Sequence, residues 1–209
     1  VGINDRSLPI TETLLDQCLA ERLNIGYILA MKHVLACLLI APIAAFAQAP
    51  LPDLTAPAIA TLQAGVICAP VSLGERLAPG TVAGTTHVIN EEPPFVAATR
   101  RVPAVLGIGF GIKSQAADLD GIEGVKMTVT HPPMGASGQT VQTFPSTIRG
   151  TDPSLTFYQF DFDYELLPGI WQIEASSNGE TLYRTTFEVL PAEQVPELAE
   201  ICGYVDLFS

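Results

Sequence analysis

Positive charge is what this chain has least of. Ten lysines and arginines stand against 22 aspartates and glutamates, a formal net charge of −12. Such a balance repels phosphate backbones and anionic lipid headgroups, and Arg100-Arg101 is the sole arginine pair, so nucleic-acid binding is excluded. Histidine is scarce too: beyond the N-terminal region there are only His87 and His131. Nucleophilic catalysis needs an activating base, and zinc needs several ligands at close spacing. Neither histidine has such neighbours in sequence. Both read as isolated surface or edge residues, and no metal, cofactor or catalytic residue is expected. The chain also lacks C-x-x-C, G-x-S-x-G, and any long stretch with helical periodicity. These absences argue against a thiol redox pair, a hydrolase nucleophile elbow (Ser137 in "GASG" has the wrong spacing) and a βαβ architecture.

What is present begins with "MKHVLACLLIAPIAAFAQAP" at Met31. Lys32 and His33 form a short basic start, Val34 to Phe46 is an uncharged apolar run, and Ala45-Phe46-Ala47 offers small residues where a signal peptidase reads them. The run is about thirteen residues, short of the ~20 that a spanning helix needs. Cleavage is expected between Ala47 and Gln48, since a cut after Ala49 would put the Pro50 ring against the protease. Residues 1–30 then read as an upstream extension that is not translated, 31–47 as the signal peptide, and the rest as a periplasmic or secreted bacterial protein. The rival is one span from Ile25 to Ala47, which must carry Lys32 near its middle at roughly 2.5–3.5 kcal/mol. Cys37 in "VLAC" sits too early in the run to be a lipid-modified cysteine.

Of four cysteines, Cys68 and Cys202 lie beyond the signal. In an exported protein an isolated pair is expected to form one disulfide, here closing a loop of 134 residues. The chain-entropy treatment assigns that closure about 5 kcal/mol.

The Pro- and Ala-rich segment 48–58 reads as an extended leader, and 59–209 as a single domain. Short runs with alternating apolar residues then follow one another between turn signals. They are "AGVICAP", "THVIN", "RVPAVLGIGFGIKS", "GVKMTVTH", "QTVQTF", "LTFYQFDFDYE", "GIWQIEASS" and "ETLYRTTFEVL". Successive strand side chains point to opposite faces, so Trp171, Ile173 and Ala175 alternate with Gln172 and Glu174. Tyr183, Phe187 and Val189 alternate likewise with Arg184, Thr186 and Glu188. Asn178-Gly179 between these two runs is a strong hairpin signal. Half-polar alternation predicts antiparallel sheets, each with one wet face. The expected fold is an immunoglobulin-like antiparallel β-sandwich of seven to eight strands, with Trp171, Phe160, Phe162, Phe110, Ile108, Val129 and Phe187 in its core. Pro196 limits the C-terminal "AEQVPELAEIC" to a helical turn or two.

Four stretches invite chemistry. "GIGFG" (Gly107, Gly109, Gly111) lacks the following helix that a phosphate loop needs, and reads as a strand with a bare side open to close packing. "DLDGIE" resembles part of a calcium loop, but Ala116 and Met127 stand where its first and last carboxylates belong. It reads as a solvated turn with Gly121 at positive φ, and a weak calcium site there stays open. Asp161, Asp163 and Glu174 could supply paired carboxylates for glycoside hydrolysis, or simply keep a sheet wet. "INEEPPFVAATRR" is an irregular connection in which Phe95 could make a contact loop, or Pro93-Pro94 could stiffen a crossover.

On "VPAVLGIGFGI", "LPGIW" and the F-E-V close of the last strand, the chain resembles an uncharacterised family of exported bacterial domains, the domain of unknown function numbered three-eight-five-nine. The resemblance covers about Gly65 to Val189. It implies a β-sandwich and brings no activity, cofactor or site residue. Three functions remain in view. The first is a non-enzymatic binding module with a protein or glycan partner. The second is a hydrolase using Asp161, Asp163 or Glu174, and the third an assembly factor that exchanges a strand, for which an unpaired apolar edge strand would speak.

Overall fold

The structure is a computed structural model that describes residues 49–203. The upstream segment, the expected signal peptide and the Ala47–Gln48 cleavage point lie outside the described residues. Within them the chain forms β1 (Leu54–Thr55), β2 (Ile59–Cys68), β3 (Ser72–Leu77), β4 (Thr85–Ile89), β5 (Arg101–Pro103), β6 (Ile108–Ala116), β7 (Ile122–Met134), β8 (Gln139–Ile148), β9 (Ser154–Gln159), β10 (Gly169–Ser177) and β11 (Glu180–Leu190). A short helix, α1 (Pro196–Ala199), follows. One sheet runs β1-β11-β10-β7-β8, the other β2-β6-β9, and β3-β4 make a separate two-stranded ribbon. All pairings are antiparallel except β5 with β11.

The two larger sheets face each other across one aromatic core. Phe110 of β6 meets Trp171 of β10 edge-on at 5.7 Å and Phe187 of β11 at 4.8 Å, and Phe160 meets Trp171 at 5.7 Å. All four rings are fully buried. This is the antiparallel immunoglobulin-like sandwich that the alternation predicts. Asn178 (φ 53°) and Gly179 (φ 84°) turn β10 into β11, the left-handed pair a two-residue hairpin loop demands.

Three departures from the sequence reading have local causes. "RVPAVLGIGFGIKS" is not one strand: β5 pairs in the larger sheet and β6 in the smaller. Pro103 has no N–H to continue a ladder, and Gly107 takes φ +78°, so the chain turns between them and crosses sheets. The run through Phe160 ends early as well. Phe162 and Tyr164 are exposed rather than in the core, because the Glu165 carboxylate takes the Asp161 and Phe162 N–H groups (2.6 and 3.1 Å) and closes a 3₁₀ turn. The leader, finally, is docked. Leu54-Thr55 pairs with Arg184-Tyr183, Asp53 accepts the Thr186 N–H at 2.8 Å, and Gln172 donates to the Leu51 carbonyl at 2.7 Å. Gln172, on the polar face of β10, is thereby buried.

Cys68, at the end of β2, is joined to Cys202, just beyond α1, with Cα atoms 5.5 Å apart. The C-terminal turns bury Ala192, Val195 and Ala199. Gly109 and Gly111 are buried in β6. A Cβ on Gly111 would stand 2.3 Å from the Thr156 carbonyl oxygen, and one on Gly65 opposite it would stand 2.5 Å from the Phe95 ring. Phe95 therefore packs down on glycine, with Lys113 Nζ 5.3 Å over its ring, and is not a free contact residue. Among the described residues no helix is long and apolar enough to cross a membrane.

Candidate functional site

Between the sheets lies a chain of polar side chains that sequence reading missed. Its start is His131 of β7, buried and packed against Trp171 with ring centres 4.9 Å apart and the planes tilted by 32°. Gln142 of β8 places its amide nitrogen 3.1 Å from His131 Nε2 and 3.3 Å from the Tyr158 hydroxyl. An amide nitrogen only donates, so His131 Nε2 accepts and the ring proton sits on Nδ1, which donates to the Pro132 carbonyl at 2.8 Å. Tyr158 then donates to Glu165 Oε1 at 2.7 Å. The Gln142 oxygen accepts the Val82 N–H at 2.8 Å. Burial holds His131 below the usual imidazole range, only partly opposed by its bond to Pro132. Burial raises the Glu165 carboxyl, against the pull of the Tyr158, Asp161 and Phe162 donors. Burial also raises the Tyr158 hydroxyl, with the Glu165 charge adding to it.

This buried network is satisfied within itself. Its donors and acceptors meet one another, leaving the amide, imidazole and carboxyl without a free face for substrate. Its effect is to fix two surface segments, the loop at Val82 and the turn at Asp161 to Glu165. Those segments carry the open site.

At the surface, Asp161 Oδ2 lies 2.9 Å from His87 Nε2 of β4, and His87 Nδ1 lies 3.0 Å from Ser72 Oγ of β3. Gln159 holds the other Asp161 oxygen at 2.6 Å. A shallow groove of about 200 Å³ adjoins them, lined by Glu75, Ala83, Thr85, Thr86, His87, Asp161 and Phe162. His87 is thus not isolated. Serine, histidine and aspartate in a row suggest acyl transfer, but the proton geometry does not support it. The Ser72 hydroxyl donates to the Gly74 carbonyl at 2.9 Å, so it turns a lone pair, not its proton, toward the imidazole. The Asp161 and Phe162 N–H groups are taken by Glu165, and the Gly74 N–H by Ser72 itself. An oxyanion hole needs free donors.

The remaining carboxylates do not converge. Glu174 belongs to β10 in the larger sheet and binds Arg184 at 2.7 Å, whereas Asp161 follows β9 of the smaller one and binds His87. In "DLDGIE", Asp118 accepts the Asp120 N–H at 3.0 Å and Glu123 accepts the Thr147 hydroxyl at 2.8 Å, with Gly121 at φ +78°. No group of three potential metal ligands occurs among the described residues.

What the site does offer is open strand. All six residues of β3 are exposed. Around it Val71, Leu73 and Leu77 are 82, 65 and 86 % exposed. Nearby in the groove wall, Phe162 stacks on Tyr164 at 5.2 Å with both rings half in solvent. Large aliphatics this bare, on a strand, are what folded proteins normally avoid.

A protein-family model for a domain of unknown function, DUF3859, matches residues 56–189, well over half of the chain. The chain belongs to this family. The match runs from just before β2 almost to the end of β11, and so contains β3, β4 and Asp161. Comparison with solved structures gives an immunoglobulin-like protein from Pseudomonas aeruginosa, 18% identical, over 68% of this chain and 99% of that one, with a TM-score of 0.42. No curated protein matches the chain.

Proposed function

We propose that this chain is an exported, non-enzymatic binding module whose contact surface is the β3–β4 ribbon with the adjoining Phe162–Tyr164 turn. The observation that carries it is the exposure of β3: six residues without burial, flanked or occupied by three aliphatic side chains that water surrounds. Binding function concentrates on irregular segments held by a rigid scaffold, and the buried chain from His131 to Glu165 supplies that support. Export is supported by the signal-like stretch Met31–Ala47 and by an oxidised cysteine pair, which persists in a periplasmic or extracellular setting.

Affinity capture from a periplasmic extract with the wild type and with Leu73→Asp/Leu77→Asp tests the surface. A protein or glycan retained by the first and lost with the second supports the reading. Equal retention by both places the contact elsewhere and defeats it. The hydrolase reading, with Asp161, Asp163 or Glu174 as the acting carboxylates, has its own measurement, turnover of aryl glycosides: none is expected, and turnover that Asp161→Asn abolishes would favour that reading instead. The reading as a strand-exchanging factor is favoured by one specific feature, the edge of β3 that pairs with no strand among the described residues.

A further inference from the structure

The ribbon's register shows which backbone groups are free. Glu75 faces His87, Arg76 faces Thr86 and Leu77 faces Thr85. The Ala78 N–H donates to the Gly84 carbonyl at 2.8 Å, continuing the same register. Directly opposed residues that bond in this way alternate with pairs that do not, so Arg76 turns its N–H and C=O toward β4 and Ala78 its N–H, the Ala78 carbonyl accepting from Thr81 in the turn. Glu75 and Leu77 turn theirs outward. Among the described residues β3 has no second strand partner.

The side chains add chemistry to that edge. Glu75 and Leu77 share one face with His87 and Thr85, since opposed residues lie on the same side. Glu75 reaches the groove that Asp161 also lines, which gives the edge two carboxylates beside an aliphatic. The protein as a whole carries −12. Arg76 lies on the opposite face by alternation.

We propose that β3 accepts an added strand from another protein: an extended segment carrying a lysine or arginine two residues from an aliphatic, cation against Glu75 and Asp161, aliphatic against Leu77. This rests on the binding-module reading and names its partner. Backbone bonds to Glu75 and Leu77 would supply much of the affinity and the two side-chain positions the selection. A second copy of this chain is disfavoured in the three registers that engage the Glu75–Leu77 edge centrally. Two-fold antiparallel pairing of β3 with itself centred on Glu75 or Arg76 sets like charges face to face, and centring it on Leu77 sets Glu75 against Pro79, which has no N–H.

The test uses a fluorescent peptide of threonines alternating with valine, lysine and valine, titrated into the protein by anisotropy. Three comparisons go with it: glutamate replacing the lysine, N-methylation of alternate amides, and the variant Leu77→Pro. That variant removes an outward N–H while leaving the bonds to β4 intact, a substitution edge strands tolerate. Binding should weaken about three- to fivefold with glutamate, in keeping with an exposed ion pair, and be lost with N-methylation and with Leu77→Pro. Amide shifts on binding should centre on Glu75–Leu77. Indifference to N-methylation, or shifts away from β3, overturns strand addition. If Leu73→Asp/Leu77→Asp still abolishes capture in that event, the binding surface stands and only its mode is wrong. A dimer of the free protein that Leu77→Pro abolishes would replace the peptide by a second copy and overturn the proposal.

Discussion

Gln142 donates its side-chain amide to His131 Nε2 across 3.1 Å, and that one bond fixes the imidazole as neutral, with its proton on Nδ1. A protonated ring would point a hydrogen at an NH₂ group. Burial keeps the folded-state pKa of His131 below its ordinary 6.5, opposed in part by the bond from Nδ1 to the Pro132 carbonyl.

The sign of the pH effect follows. A base depressed in the folded state is protonated first in the unfolded state, so acid favours unfolding. The loss begins as pH falls past about 6.5 and is complete once pH drops through the lower folded value. Urea midpoints for the wild type should fall between pH 7.5 and 5.5. In His131→Asn that part of the decline should vanish, whatever the variant's starting stability.

Glu165 runs the other way. Its carboxyl is raised in the folded state, so its contribution is full below about 4.5 and is lost as pH rises through the folded value. Glu165→Gln removes this dependence, but it also aims an NH₂ group at the Asp161 and Phe162 N–H donors or at the Tyr158 hydroxyl. A buried donor left unpaired costs about 1–3 kcal/mol. Chemical denaturation at pH 7 should show that loss, and Tyr158→Phe should show a smaller one.

Small side chains test the glycines of β6. Gly111→Ala drives a methyl to 2.3 Å from the Thr156 carbonyl oxygen, and backbone cannot step aside easily. Overpacking of this kind costs about 1–3 kcal/mol or more, readable as a lower urea midpoint. Gly84, at φ +72°, has open space around a Cβ, so alanine there meets backbone strain and no clash.

Reduction tests the disulfide. Replacing Cys202 by serine opens a loop of 134 residues and should lower stability by about 2–5 kcal/mol. Thermal unfolding with and without reductant should separate in the wild type and coincide in the variant.

Much of the scaffold was legible because alternation is a local signal. Trp171, Phe187, Phe110 and Phe160 lie in the core where period two placed them, and Asn178-Gly179 turns where its left-handed preference demanded. The misses share a different cause. Phe162 obeyed the alternation and still faces solvent, because a glutamate three residues on captured its backbone. His131 looked isolated because its partners Gln142 and Trp171 come from two other strands. His87, Ser72 and Asp161 were equally remote in sequence, being 15 and 74 positions apart from the histidine. Half of the ribbon is legible: "THVIN" alternates and forms β4, whereas "SLGERL" with its central glycine, Glu75 and Arg76 carries no apolar period. A strand whose six residues are all exposed has no reason to show one.

The most direct measurement is hydrogen exchange at four neighbouring amides of the free protein. Arg76 and Ala78 should be protected by β4, while Glu75 and Leu77 exchange at close to solvent rates, and they should slow when the lysine-bearing peptide is added. Four amides protected alike before any peptide is present would mean that the edge of β3 is already covered, and the open strand on which the function rests would not exist.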